Sequence, residues 1–165
     1  MKNFKKSLLA TALSLMAISS ANAVVTTSNM QATANVVGAC TIEATAMAFG
    51  AFTPTATADT LAATSTLSSV CSNGVQYTLS LDKGTGTSIA DRSMPGAIAE
   101  NLDRLQYNIY QEVAHTTLFG EGVGETIVNV GTGVAQSTTL YGKILTNQFI
   151  TPDAYAEQLT VTLTY

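Results

Sequence analysis

From Leu159 to Tyr165 the chain reads Leu-Thr-Val-Thr-Leu-Thr-Tyr, with apolar residues at every odd position and threonine at every even one. A period of two in such residue types marks a pleated strand with one face in a core. The sequence stops on this strand, and termini fray unless neighbours hold them. The stretch is therefore expected to need partners, supplied by earlier residues or by another molecule.

The same alternation recurs along the chain. Val75, Tyr77, Leu79 and Leu81 alternate with polar residues, as do Leu105, Tyr107 and Ile109, and further strands are expected at Thr126–Val130 and Thr138–Leu145. Cys40–Ala44 and Met47–Phe52 read as short apolar strands, with Gly50 and Pro54 as breaks. Thr53–Ser69, rich in Thr, Ala and Ser, reads as a loop passing into a strand that ends at Cys71. Asn73-Gly74 predicts a tight hairpin, because both residues accept positive φ. Gly84–Gly96 reads as a polar loop. Helical periodicity is not sustained beyond the first residues, so about eight short strands separated by turns predict an all-β sandwich.

Lys2, Lys5 and Lys6, the apolar run Leu8–Ile18 and the small residues of Ala21-Asn22-Ala23 have the form of a signal peptide, with cleavage expected after Ala23. The run is too short for a stable membrane anchor. The mature part carries four basic against eleven acidic residues, a formal charge of −7. Such a surface repels phosphate backbones, which argues against nucleic acid as a partner. Cys40 and Cys71 are the two cysteines, and in an exported chain they are expected to form one disulfide. Closing a loop of about thirty residues stabilises by about 3.7 kcal/mol on the chain-entropy model. Their spacing fits neither a redox pair nor a metal site.

Catalytic constellations are absent from the sequence. His115 is the single histidine and reads as a solvated loop residue, and there is no Gly-x-Ser-x-Gly elbow. Gly120-Glu121-Gly122-Val123-Gly124 lacks the lysine and the helix of a phosphate loop and reads as a turn; Glu121 and Glu125 sit there without rigid support for acid–base work. Arg92 and Arg104 are expected to anchor loops or to pair with Asp91 and Asp103 at the surface. The chain thus reads as a non-enzyme without metal or cofactor.

One more stretch stands out. Val24–Val37 is a long, uncharged alternation, with Met30, Ala32, Ala34 and Val36 on one side and Asn29, Gln31, Thr33 and Asn35 on the other. Its apolar side is mostly small, suited to a narrow groove.

Several segments in order resemble the spore coat protein U domain, a family that includes pilin subunits of archaic chaperone-usher pili such as the Csu pilus. They are Cys40 with Met47-Ala48-Phe49-Gly50, Val70-Cys71-Ser72-Asn73-Gly74, Arg92-Ser93-Met94, Leu105–Tyr110, Tyr141-Gly142-Lys143-Ile144 and Tyr155–Tyr165. The resemblance implies an immunoglobulin-like β-sandwich lacking its last strand and completed by donor-strand complementation, a form of β-strand addition. It implies a signal peptide at residues 1–23, a donor extension at 24–37 and an incomplete domain at 38–165. Met30, Ala32, Ala34 and Val36 would be the donor residues, and Leu159, Val161 and Leu163 one wall of the acceptor groove. The implied partners are neighbouring pilin subunits, a periplasmic chaperone and an outer-membrane usher, and the implied place is an extracellular fimbrium serving attachment and biofilm. The chain is too short for the extra binding domain of tip adhesins, which favours a shaft or minor adaptor subunit. A spore or outer-coat structural protein and a secreted, self-contained carbohydrate-binding sandwich are the alternatives.

Overall fold

The computed structural model describes residues 22–54 and 61–165, so most of the expected signal peptide and part of the Thr53–Ser69 stretch lie outside it. The chain divides into two units, residues 1–35 and 36–165. Within the first, residues 22–35 form no strand and their side chains are exposed. The strand expected over Val24–Val37 is therefore not formed in the single chain. Alternation prepares one face of a strand, but a strand also needs a hydrogen-bonding neighbour.

The described part of the second unit holds eight strands: β1 (Cys40–Ala44), β2 (Ala62–Cys71), β3 (Gln76–Leu81), β4 (Arg92–Pro95), β5 (Arg104–Tyr110), β6 (Ile127–Val130), β7 (Ala135–Ile144) and β8 (Val161–Thr164). They form a five-stranded sheet in the order β1-β2-β7-β5-β4 and a three-stranded sheet in the order β6-β3-β8. Every pairing is antiparallel. Alternate residues turn inward from both sheets, as the period of two requires. Leu67 and Cys71 of β2, Tyr77, Leu79 and Leu81 of β3, Leu105, Tyr107 and Ile109 of β5, and Leu140 and Ile144 of β7 make the buried core with Phe119. The Cys40–Cys71 disulfide joins directly paired residues of β1 and β2, with Cα atoms 4.1 Å apart.

Four sequence expectations are corrected. Asn73-Gly74 does form a turn, with Gly74 at φ 81°. It joins no hairpin, however, because β2 and β3 belong to opposite sheets. The presumed loop Gly84–Gly96 contains β4, which pairs with β5 through Arg92↔Tyr107 and Ser93↔Gln106; four residues with a charged first member give no readable alternation. Met47–Phe52 forms no strand, although Met47, Phe49 and Phe52 pack against the core. Finally, the terminal strand starts at Val161, with Leu159 and Thr160 preceding it.

Candidate functional site

β8 lies at the edge of its sheet. It pairs with β3 through Leu163↔Leu79 and Val161↔Leu81, and among the described residues its other side carries no strand. Beside it opens a cleft of about 940 Å³ between the two sheets. One wall is the segment 150–159 with Val161, the other is the segment 44–54, and the floor includes Leu67, Leu105, Ile109, Leu140 and Ile144. An apolar cleft beside an unpaired strand edge combines the two surfaces that folded chains normally cover.

The inward parity of β8 continues backwards through the wall. Tyr155, Glu157, Leu159, Val161 and Leu163 are all half-buried, while the residues between them are exposed. Glu157 is the exception in this apolar row. Its carboxylate accepts hydrogen bonds from the Thr85 amide, from Thr85 Oγ1 at 2.7 Å and from the Tyr107 phenol. The loop supplying Thr85 is shaped around it: Gly84 has φ 58°, and a Cβ there would overlap Glu157 and approach Leu159 Cδ2 to 2.7 Å. Burial and the neighbouring carboxylate push the Tyr107 phenol well above its usual range. Glu157 thus latches the wall to both β5 and the 83–86 turn.

A second set of bonds holds the start of the wall. Asp153 Oδ2 accepts from the Ile98 amide at 3.0 Å and from Asn101 Nδ2 at 2.8 Å, and Asn101 also donates to the Tyr155 hydroxyl. Asp103 Oδ2 accepts from the amide and hydroxyl of Thr151, each at 2.7 Å. These bonds lower both carboxyls below the usual aspartate range, the Asn101 side chain acting most on Asp153 and the Thr151 hydroxyl most on Asp103. The wall is also joined to the far sheet by a bridge between Gly96 and Tyr155.

Behind the latch, Arg92 is completely buried. Its guanidinium donates to the carbonyls of Asp82 at 2.6 and 3.0 Å, Phe119 at 2.9 Å, Leu81 at 3.3 Å and Ile89 at 3.4 Å. Desolvation lowers its pKa, and the fields of Tyr107, Asp82 and Glu157 oppose that shift. Arg92 therefore anchors loops from the interior and not at the surface, and Asp91 instead accepts from Thr87 Oγ1 at 2.7 Å. Arg104, exposed, reaches Thr85 Oγ1 at 2.9 Å, while Asp103 is taken by Thr151.

His115 is not the solvated residue that its loop position suggests. It adopts φ 54°, its ring stands edge-on to Tyr110 and Tyr141 at 5.1 and 6.4 Å, and its buried Nε2 has no hydrogen-bond partner among the described residues. In the glycine turn, Glu125 accepts from the Gly122 amide at 2.7 Å, so it caps its own loop. Among the described residues no three His, Cys, Asp or Glu side chains gather as a metal-binding group.

Of the expected acceptor residues, Leu159 and Val161 line the cleft. Leu163 shares their inward face further along β8 and packs against the core. Met30, Ala32, Ala34 and Val36 are exposed in the single chain. Sequence reasoning missed Tyr155 and Glu157, although the alternation that marks Leu159 runs back through both. It also missed the wall at Met47 and Phe49, where a strand was expected.

The model of the Spore Coat Protein U domain matches residues 26–162. The chain belongs to this family. A search of curated proteins returns no match for this Spore Coat Protein U domain. Among solved structures, it is similar in fold to a chain of the crystal structure of the CsuC–CsuE chaperone–tip adhesion subunit pre-assembly complex from the archaic chaperone-usher Csu pili of Acinetobacter baumannii. The TM-score is 0.57 with 21% identity, over 79% of this chain and 40% of that one. The chain therefore spans well under half of its structural neighbour. The two-sheet architecture agrees with the sandwich expected from the sequence.

Proposed function

We propose that this chain is a structural subunit of a chaperone-usher pilus, polymerising head-to-tail by donor-strand exchange. Residues 24–37 of one copy enter the cleft of the next and pair with the free edge of β8, supplying the strand that the three-stranded sheet lacks. The observation that carries this reading is the unpaired edge of β8 lying along a cleft of about 940 Å³ in a single chain. The exposed, uncharged alternation at Val24–Val37 matches it in chemistry: Met30, Ala32, Ala34 and Val36 form the apolar side. A head-to-tail contact does not close on itself, so it builds an open filament.

Before assembly the cleft needs a temporary cover, and a periplasmic chaperone is the partner that suits it, with an outer-membrane usher as the site of exchange. Family membership and the pre-assembly complex of the structural neighbour support both. The filament is then a cell-surface fimbrium serving attachment and biofilm growth, with no catalytic role for the chain.

Replacing Ala34 by Asp tests the donor face. It sets an unpaired charge in a desolvated groove, so filaments seen by electron microscopy should be lost while the unfolding of the isolated chain stays unchanged. Filaments of normal length would refute the assignment. Deleting residues 24–37 should abolish polymerisation yet leave chaperone binding intact; a self-contained sandwich would lose a strand of its own and misfold.

A further inference from the structure

The segment after β1 packs half-buried apolar side chains against the core while its backbone beyond Thr45 pairs with none of the described residues. Thr45 donates to Thr66 O at 3.0 Å, and from Ala46 to Pro54 no backbone–backbone bond to a described residue follows. Yet Met47, Phe49 and Phe52 pack against the core while Ala46, Ala48 and Ala51 are exposed. Gly50, at φ 78°, breaks the alternation and lets Phe52 turn inward after Phe49. The floor below is a notch made by one missing side chain. Gly142 lies on β7 between the buried Leu140 and Ile144, and a Cβ there would overlap Met47 Sδ and stand 2.8 Å from Phe49 Cζ. The Phe49 ring meets Tyr107 edge-on at 5.8 Å, beside the Glu157 latch.

We propose that residues 46–52 are an internal plug: Met47 and Phe49 occupy the floor above Gly142 before assembly and leave it when a strand from another copy seats. This rests on the strand-accepting reading of the cleft and adds how the cleft is kept until it is filled. Alternate side chains of a strand laid along β8 point to this floor, so plug and entrant compete for one place. Their means of holding it differ. The plug contributes apolar burial alone, whereas the entrant contributes burial together with a hydrogen-bond ladder to the free edge of β8. Exchange is therefore downhill once a strand is present, and until then the plug hides apolar surface that would otherwise promote aggregation.

Methionine oxidation reads both halves of this scheme. The monomeric full chain is treated with dilute hydrogen peroxide, with and without a synthetic peptide of residues 24–37 carrying norleucine in place of Met30, and the rates at Met47 and Met94 are followed by mass spectrometry. Both residues line the cleft, and the chain's own exposed Met30 gives the unprotected rate. The peptide should slow oxidation of Met94 several-fold by covering it, and should speed that of Met47 several-fold towards the Met30 rate. If Met94 slows while Met47 slows or stays the same, the plug does not move and the proposal is overturned, with the cleft reading intact. If Met94 does not change, no strand enters and the cleft reading falls as well. As a second measurement, Phe49→Ala should take up the peptide faster than the parent chain; slower uptake by a variant that still unfolds cooperatively counts against the plug.

Discussion

Removing the Glu157 carboxylate tests whether the cleft wall is held by its latch. In Glu157→Ala, the Thr85 amide loses its acceptor while the Thr85 hydroxyl keeps the Ser93 carbonyl at 2.9 Å, and because Thr85 is exposed water replaces the lost bond at little cost. Tyr107 differs, because it is only 3% exposed and Glu157 is the partner of its phenol. Stranding a buried hydroxyl costs about 1–3 kcal/mol, and a bond to a charged acceptor contributes about 1.5–3 kcal/mol. Arg92 also loses one of the charges that offset its desolvation. The expected total is a loss of about 2–4 kcal/mol, a large share of the 5–15 kcal/mol typical of a domain. Urea unfolding followed by circular dichroism, with the disulfide intact, measures it. A cycle with Tyr107→Phe isolates the pair, since that substitution keeps the ring against Phe49 and removes the donor alone. Coupling of about 1.5–3 kcal/mol is expected; a value under about 0.5 kcal/mol would refute the latch. The same variant should bind a peptide of residues 24–37 more weakly, because the wall that orients Leu159 and Val161 is loosened.

Replacing both Cys40 and Cys71 by Ser should lower stability by about 3–4 kcal/mol in chemical denaturation, as expected for a loop of about thirty residues; an unchanged midpoint would contradict the bridge. Acid should loosen the start of the cleft wall before the core. Asp153 and Asp103 have depressed folded-state pKa values, so their contribution is complete above the ordinary aspartate value near pH 3.9 and is lost as the pH falls through the folded values. Hydrogen exchange at Ile98 and Thr151, whose amides these carboxylates accept, should rise in that window relative to core amides. Equal protection at pH 2 and pH 6 would rule the effect out.

Most strand positions and their inward faces were legible in the chain itself. Period-two alternation is a local property of consecutive side chains, so Tyr77, Leu79, Leu81, Leu105, Tyr107 and Ile109 could be assigned to a core without any knowledge of their neighbours. The disulfide followed from two cysteines in a chain whose first residues read as an export signal, and the glycine turns from residues that tolerate positive φ. Partner choice is non-local and was not written there. Asn73-Gly74 dictates a reversal of the backbone, but packing of the two sheets decided that β2 and β3 part company after it. The brief pairing of Arg92–Pro95 with β5 depends on Arg92 finding carbonyls from two separate loops in the interior, Asp82 and Ile89 in one and Phe119 in the other. Met47 and Phe49 carry apolar side chains suited to a strand, yet the notch at Gly142 captures them while their backbone stays unpaired. Glu157 has the parity of an inward residue and the charge of an outward one; only the arrival of Thr85 and Tyr107 from distant parts of the chain makes its inward place stable.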